Sequence, residues 1–157
     1  MKIHLIAIGQ RMPAWVEAGY NEYARRLPAD CGLHLHAVNA ARRGKSAPVK
    51  RIIEEEGQAL LARVPQDCRL IALDVGGNAW STEQLAHNLE QWRQSGQDIA
   101  LLVGGPDGLS DECRQRAAQR WSLSALTLPH PLVRVVVAEA LYRAWSLLNH
   151  HPYHRGE

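Results

Sequence analysis

The chain has 157 residues, a hydrophobic content of 46% and a formal net charge of +2 at pH 7. A chain of this length can bury the core of one domain, and we expect residues 1–157 to form it. Its apolar runs fall short of the roughly 20 residues that span a membrane. Met1-Lys2-Ile3-His4 is unlike a signal peptide, so the sequence predicts a cytoplasmic protein. A charge this small does not by itself indicate nucleic-acid binding.

Predicted strands and helices alternate along the chain. Strand patterns cover residues 2–9, 33–38, 69–75, 99–103 and 121–128. Helical patterns follow Pro13, Val49 and the capping-box sequence that begins at Ser81, and a long apolar helix is predicted over Leu132–Leu148. This alternation predicts an α/β domain in which a mostly parallel sheet is flanked by helices.

The strongest local signal is the junction where the apolar run Ile99–Val103 ends in Gly104-Gly105-Pro106-Asp107-Gly108, before a helix capped by Ser110. Ligands of open α/β sheets bind at the carboxyl ends of strands, so we expect a ligand here. Pro106 lacks the amide that a phosphate would use, and neither a dinucleotide fingerprint nor a P-loop is present. Asp107 favours a neutral or positively charged ligand such as S-adenosylmethionine, with structural turn chemistry as the alternative.

A basic segment lies between the second predicted strand and the following helix. Residues 41–51 contain five basic side chains and no acid: Arg42, Arg43, Lys45, Lys50 and Arg51. Such a cluster beside a glycine indicates contacts with RNA phosphates, although a solvated loop is the alternative. We add Arg134 of the last helix as a candidate RNA contact. An interface or core role remains open for Arg134 and for its helix neighbours Glu139, Tyr142 and Arg143.

Cysteines and histidines do not form a predicted metal site. The three cysteines are widely spaced, which indicates reduced thiols rather than a disulfide framework. No Cys-x-x-Cys motif accompanies the histidines of the C-terminal third, so we expect no metal. His34 and His36 alternate with leucines, which predicts that both lie on a wet face of their strand.

Four stretches of the chain closely resemble the RlmH family, large-subunit ribosomal RNA pseudouridine N3-methyltransferases of the SPOUT class. They are residues 104–109, 121–134, 139–145 and 151–155, and the resemblance runs from Lys2 to Arg155. It implies S-adenosylmethionine as methyl donor, a C-terminal trefoil knot, and a homodimer built through the knotted region. It also implies ribosomal RNA as substrate, and we expect the enzyme to act on this RNA in the assembled ribosome rather than on free RNA. The alternatives are a non-catalytic RNA-binding protein that uses the basic segment and a nucleotide-binding regulator.

Carried over by position, the resemblance implies that the donor binds between a strand end, the glycine loop and the stretch after Trp121. The implied residues are Leu73, Gly104, Gly105, Leu123, Ser124, Ala125, Leu126, Thr127 and Leu128. Backbone groups of strand-end loops can read the edge of adenine while leucines cover its faces. An ordinary core strand is the alternative for residues 123–128.

The C-terminal tail carries the catalytic candidates Tyr153, His154 and Arg155. Methylation at N3 of a pseudouridine requires that the imide proton leaves, because the neutral nitrogen has no free in-plane lone pair. We hypothesise that His154 takes part in deprotonation, Arg155 holds the anion or a phosphate, and Tyr153 positions the base. A frayed terminus is the alternative. In a dimer, the tail could complete the partner's pocket.

Overall fold

The computed structural model describes residues 1–44 and 46–155. In these residues the strands are β1 (Ile3–Ile8), β2 (Leu33–Val38), β3 (Arg69–Ala79), β4 (Ile99–Val103) and β5 (Gln119–Ser122). The α-helices are α1 (Ala14–Ala24), α2 (Val49–Ala62), α3 (Thr82–Ser95), α4 (Asp111–Arg116) and α5 (His130–Leu148). Short 3₁₀ helices cover Ala29–Cys31 and Pro152–Arg155.

The five strands form one sheet in the order β2-β1-β4-β3-β5, and every pair is parallel. β1 and β4 are central, and all their residues are buried. Burial on both faces explains why these two strands are continuous apolar runs. The predicted α/β architecture is therefore confirmed.

Side chains of β1 alternate between two cores. Ile3, Leu5 and Ala7 pack in the core that contains residues of α1, α3 and α5, whereas Ile6 and Ile8 pack in the core that contains residues of α2. Helices consequently cover both faces of the sheet, which leaves the strand ends as the natural place for a ligand.

The bounds of α3 follow from local hydrogen bonds. The Ser81 hydroxyl accepts from the backbone N–H of Gln84 at 3.1 Å, and the Gln84 side chain accepts from the N–H of Ser81 at 2.9 Å. At the other end, Gly96 has φ = 74°, the left-handed conformation that ends many helices. These are the start and stop that the sequence predicts.

The last predicted strand, 121–128, is wrong in length because β5 ends at Ser122. Beyond it, the Ser122 hydroxyl donates to the carbonyl of Ser124 at 3.1 Å, and the Ser124 hydroxyl accepts from the N–H of Leu126 at 2.9 Å. These local bonds compete with a strand ladder. Residues 123–129 therefore form an irregular segment, which we call the cover segment.

β3 is longer than predicted because it contains an irregularity. Leu73 and Asn78 both pair with Trp121, so residues 74–77 project from the ladder. A side chain at Gly77 would lie 2.6 Å from the backbone carbon of Arg120, which explains the need for glycine there. The projection turns Asp74 and Val75 away from the ladder at the carboxyl edge of the sheet.

Candidate functional site

A cavity of about 350 Å³ opens at the carboxyl ends of β3, β4 and β5. Its walls come from the projection of β3, the glycine loop 104–108, the cover segment and the first turn of α5. The projection of β3, the glycine loop and the cover segment each lie at the end of a parallel strand, where the sequence predicts a ligand, and α5 begins directly after the cover segment. The volume lies within the range of small-molecule sites, which is about 300–1,000 Å³.

All of the predicted donor residues except Ala125 line this cavity. They are Leu73, Gly104, Gly105, Leu123, Ser124, Leu126, Thr127 and Leu128. Ala125 is exposed in the cover segment and is not part of the lining. Their shared position is a structural fact, whereas donor binding by these residues stays a prediction.

Several lining residues were missed in the sequence analysis. They are Asp74, Val75, Leu109, Trp121, His130 and Val133, among others. Asp74 and Val75 could have been found, because they directly follow the apolar part of β3. Trp121 is only 3% exposed and stacks on Trp80 with ring centroids 5.4 Å apart, so it forms a rigid apolar wall. Val75 and Leu126 are 60% and 73% exposed and give the cavity an apolar rim.

The glycine loop closes on itself. The N–H of Gly108 donates to the carbonyl of Gly105 at 3.0 Å, and Gly108 has φ = 88°. A Cβ at Gly104 would lie 2.6 Å from the backbone carbon and oxygen of Gly108. Glycine at position 104 therefore permits a close approach of two backbone segments, and this approach shapes one wall of the cavity.

Two titratable side chains are among the residues that line the cavity, Asp74 and His130. Asp74 is paired, since its Oδ2 lies 3.3 Å from Arg120 Nη1 and 3.5 Å from Arg114 Nε. Burial lowers the pKa of His130, and the nearby charges of Arg134 and Arg43 lower it further. A lowered pKa keeps this imidazole neutral at pH 7, so the cavity offers a largely neutral surface.

The role predicted for Asp107 does not hold. Its carboxylate pairs with the guanidinium of Arg43, and Asp107 is not part of the cavity lining. The acid in the glycine loop therefore does not explain a preference for a cationic ligand.

The predicted RNA contacts fall into different environments. Arg42 and Lys50 are exposed, Arg51 pairs with Glu55 at 2.9 Å, and Arg43 pairs with acids. Lys45 lies outside the described residues.

Arg134 is placed differently from the other candidate RNA contacts. It is 2% exposed and donates to the backbone carbonyls of Ile8 and Gly9. This burial favours the core role that the sequence left open for Arg134 and does not suit a phosphate contact.

The tail is ordered on α5. The Tyr153 hydroxyl donates to Glu139 Oε1 at 3.0 Å, and its ring lies 4.7 Å from the ring of Tyr142. The guanidinium carbon of Arg143 lies 5.0 Å from the centre of the same ring. The frayed-terminus alternative therefore fails for Tyr153.

Tyr153, His154 and Arg155 do not line the cavity of their own chain. Glu139, whose carboxylate accepts from the Tyr153 hydroxyl, lies about 14 Å from His130 along the axis of α5 and on roughly the opposite side of the helix. Nδ1 of His154 is buried and has no hydrogen-bond partner within the described part of the chain. The structure thus does not join the predicted catalytic residues to the predicted donor residues within one protomer.

Neither a metal centre nor a membrane span is found in the residues that the structure describes. No group of three or more His, Cys, Asp or Glu side chains there is arranged to hold a metal ion. The helices there are too short or too polar to cross a membrane.

Comparisons with known proteins cover nearly the whole chain. A family model described as "Predicted SPOUT methyltransferase" matches residues 1–154. Ribosomal RNA large subunit methyltransferase H of Methylococcus capsulatus is 58% identical over 155 residues, which are 99% of this chain and 100% of the relative. The protein of the same name in Thioalkalivibrio sulfidiphilus is 59% identical over 155 residues, or 99% of each chain. A candidate methyltransferase of Legionella pneumophila, solved with the bound cofactor SAM, is 13% identical with a TM-score of 0.48, over 92% of this chain and 66% of that one.

Proposed function

The chain belongs to the RlmH family of SPOUT methyltransferases, and we propose that it methylates N3 of a pseudouridine in large-subunit ribosomal RNA, with S-adenosylmethionine as donor. The observation that carries this proposal is the strand-end cavity, whose walls contain all but one of the predicted donor residues. The same proposal includes the cytoplasmic location, where ribosomes are found, and the C-terminal knot.

The cavity fits the donor in size and surface. Its volume of about 350 Å³ suits a nucleoside-sized ligand. Trp121, Leu126 and Leu128 supply apolar surface for an adenine ring, and the backbone of the cover segment supplies polar groups for its edge. The bound donor supplies an electrophilic methyl group on a sulfonium. The protein's own task is to orient the acceptor base and to manage the proton at N3.

We assign the proton at N3 to the tail. His154 accepts this proton in the proposal, Arg155 stabilises the resulting uracil anion, and Tyr153 fixes the tail through Glu139. Because the tail of one chain does not line that chain's own cavity, the proposal requires a homodimer in which each tail completes the partner's cavity. The half-buried apolar side chains of α5, including Val133, Val136 and Leu148, are the candidate dimer surface.

Arg42 and Lys50, which are exposed, form the proposed RNA surface together with Arg51. Lys45, outside the described residues, stays a candidate RNA contact from the sequence alone. The chain carries a formal net charge of only +2. Phosphate contacts dominate the affinity for free RNA, and few are available here, so we expect weak and salt-sensitive binding. An assembled ribosome adds shape recognition and is the proposed substrate.

Two experiments test the proposal. Mass spectrometry of ribosomal RNA from a deletion strain should show one pseudouridine without its N3 methyl group, which the plasmid-borne gene restores. Unchanged methylation would refute the activity.

The second experiment tests the shared site with a mixed dimer. One chain is truncated after His151 and the other carries Gly104→Val, so that one complete site survives only if tails act on the partner. Such a dimer should retain about half of the wild-type turnover, and a dead mixed dimer would refute the shared site.

A further inference from the structure

A buried carboxylate lies beneath the glycine loop. Glu56, on α2, is 2% exposed and belongs to neither the cavity lining nor the tail. Its Oε2 accepts from the backbone N–H of Ala41 at 3.1 Å and lies 3.5 Å from Arg43 Nη2. Its Oε1 is buried and has no hydrogen-bond partner among the described residues. A buried carboxylate with so few partners is costly, which indicates a specific role.

Arg43 joins this carboxylate to the glycine loop. One guanidinium nitrogen faces Glu56 and another pairs with Asp107, between cavity-lining Pro106 and Gly108. Arg43 also lies close enough to His130, in the cavity wall, to lower the pKa of that imidazole. The Arg43 side chain therefore joins the basic segment to the glycine loop, and its charge is felt at His130 in a second wall of the cavity.

Gly105 completes the contact from the other side. A Cβ at Gly105 would lie 2.9 Å from Glu56 Oε1 and 3.3 Å from Ile8 Cγ2. The glycine loop thus rests directly on the Glu56 carboxylate. Glu56 therefore lies against the loop backbone itself, whereas Arg43 reaches the loop through the Asp107 side chain.

We propose that Glu56 and Arg43 are positioning residues that couple the basic segment to the donor cavity, so that donor binding and RNA binding strengthen each other. The coupling rests on the proposed function, in which the cavity holds S-adenosylmethionine and the segment contacts RNA. Arg43, with both acids as partners, fixes the segment and leaves phosphate contact to Arg42 and Lys50. Such a link is a two-site coupling, and it acts equally in both directions.

The test is a double-mutant cycle with Arg43→Gln, Glu56→Gln and the pair, read by calorimetry with S-adenosylmethionine on the full chain. Each single variant should weaken donor affinity about five- to tenfold. The double variant should be no weaker than either, because both substitutions break one link. Arg93→Gln is the matched control. The Arg93 side chain is 33% exposed, close to the 36% of Arg43, and it also pairs with two acids, Asp30 and Glu90. Unlike Arg43, it has no link to the cavity lining within the described residues. It should leave donor affinity unchanged.

Thermal unfolding separates coupling from general damage. Arg43→Gln leaves the Glu56 carboxylate buried without its cation, so its Tm should fall, and the double variant should recover Tm. Donor affinity should stay weak in that recovered double variant. Asp107→Asn breaks the link at an exposed position and should weaken donor affinity in the same way.

The reverse coupling is read on large ribosomal subunits from the deletion strain. Saturating S-adenosylhomocysteine should tighten their binding to the wild-type chain and have no effect on Arg43→Gln. If the wild-type chain binds the donor and both Arg43→Gln and Asp107→Asn bind it with the same affinity, the coupling is overturned while the proposed function stands. A wild-type chain that binds no donor would overturn the proposed function as well.

Discussion

Gly104→Ala tests whether the glycine loop shapes the donor cavity. The added Cβ would lie 2.6 Å from the backbone of Gly108 and 2.9 Å from the nitrogen of Leu109. Ordinary contact begins at 3.4 Å, so the two backbone segments must separate by about 0.8 Å. Strain of this kind costs about 1–3 kcal/mol. If it falls on the donor-bound geometry, the dissociation constant for S-adenosylmethionine should rise about 5- to 150-fold.

The assay is calorimetry with S-adenosylmethionine, accompanied by thermal unfolding to show that the variant is folded. Gly96→Ala is the control: it has φ = 74° and no atom within 4 Å of an added Cβ, and it lies at the end of α3. It should lower the free energy of unfolding by about 1 kcal/mol and leave donor affinity unchanged. A folded Gly104→Ala variant that binds the donor within about twofold of wild type would refute the reasoning.

Other single contacts give smaller and separate predictions. Burial lowers the pKa of His4 and of His36 below 6.5, so protonation favours the unfolded chain and Tm should fall as pH drops below that value. His36→Gln should lessen this fall in a pH series. Ser81→Ala removes the helix cap and should lower the free energy of unfolding, measured in urea, by about 1 kcal/mol. Turnover should stay unchanged, because the role of Ser81 is structural. Tyr153→Phe removes the 3.0 Å bond to Glu139 and should cut turnover about two- to tenfold, while calorimetry shows unchanged donor affinity.

Local chemistry made much of the fold predictable. The β1 and β4 runs are apolar because both faces of each strand are buried, and the ends of α3 are set by Ser81 and Gly96. The end of β5 was not predictable from apolar content, since residues 121–128 contain enough of it for a strand. Hydrogen bonds from Ser122 and Ser124 decide the outcome there.

The sequence predicts those parts of the candidate site that lie at strand ends. It does not predict the contacts between residues that are far apart in the sequence. The cavity walls follow the ends of β3, β4 and β5, and the sequence locates the end of β4 at Val103, where the structure has it. Asp107, in contrast, pairs with Arg43 at a separation of 64 residues, and Arg134 donates to a carbonyl 125 residues away. A single sequence contains no signal for either contact, so it did not predict the pairing of Asp107 and could not decide between the RNA role and the core role of Arg134.

The lining of the cavity gives one argument for the proposed shared site. Of the described residues that line the cavity, the titratable ones are Asp74, which two arginines hold, and His130, whose pKa is lowered. Two arginines already hold the Asp74 carboxylate, and the lowered pKa of His130 makes its imidazole a weaker base than a free one. The proposed function therefore takes the proton acceptor from the tail. In the proposed function this acceptor is His154 of a second copy of the chain, on the tail that Tyr153 holds at Glu139, and the mixed dimer decides whether it is.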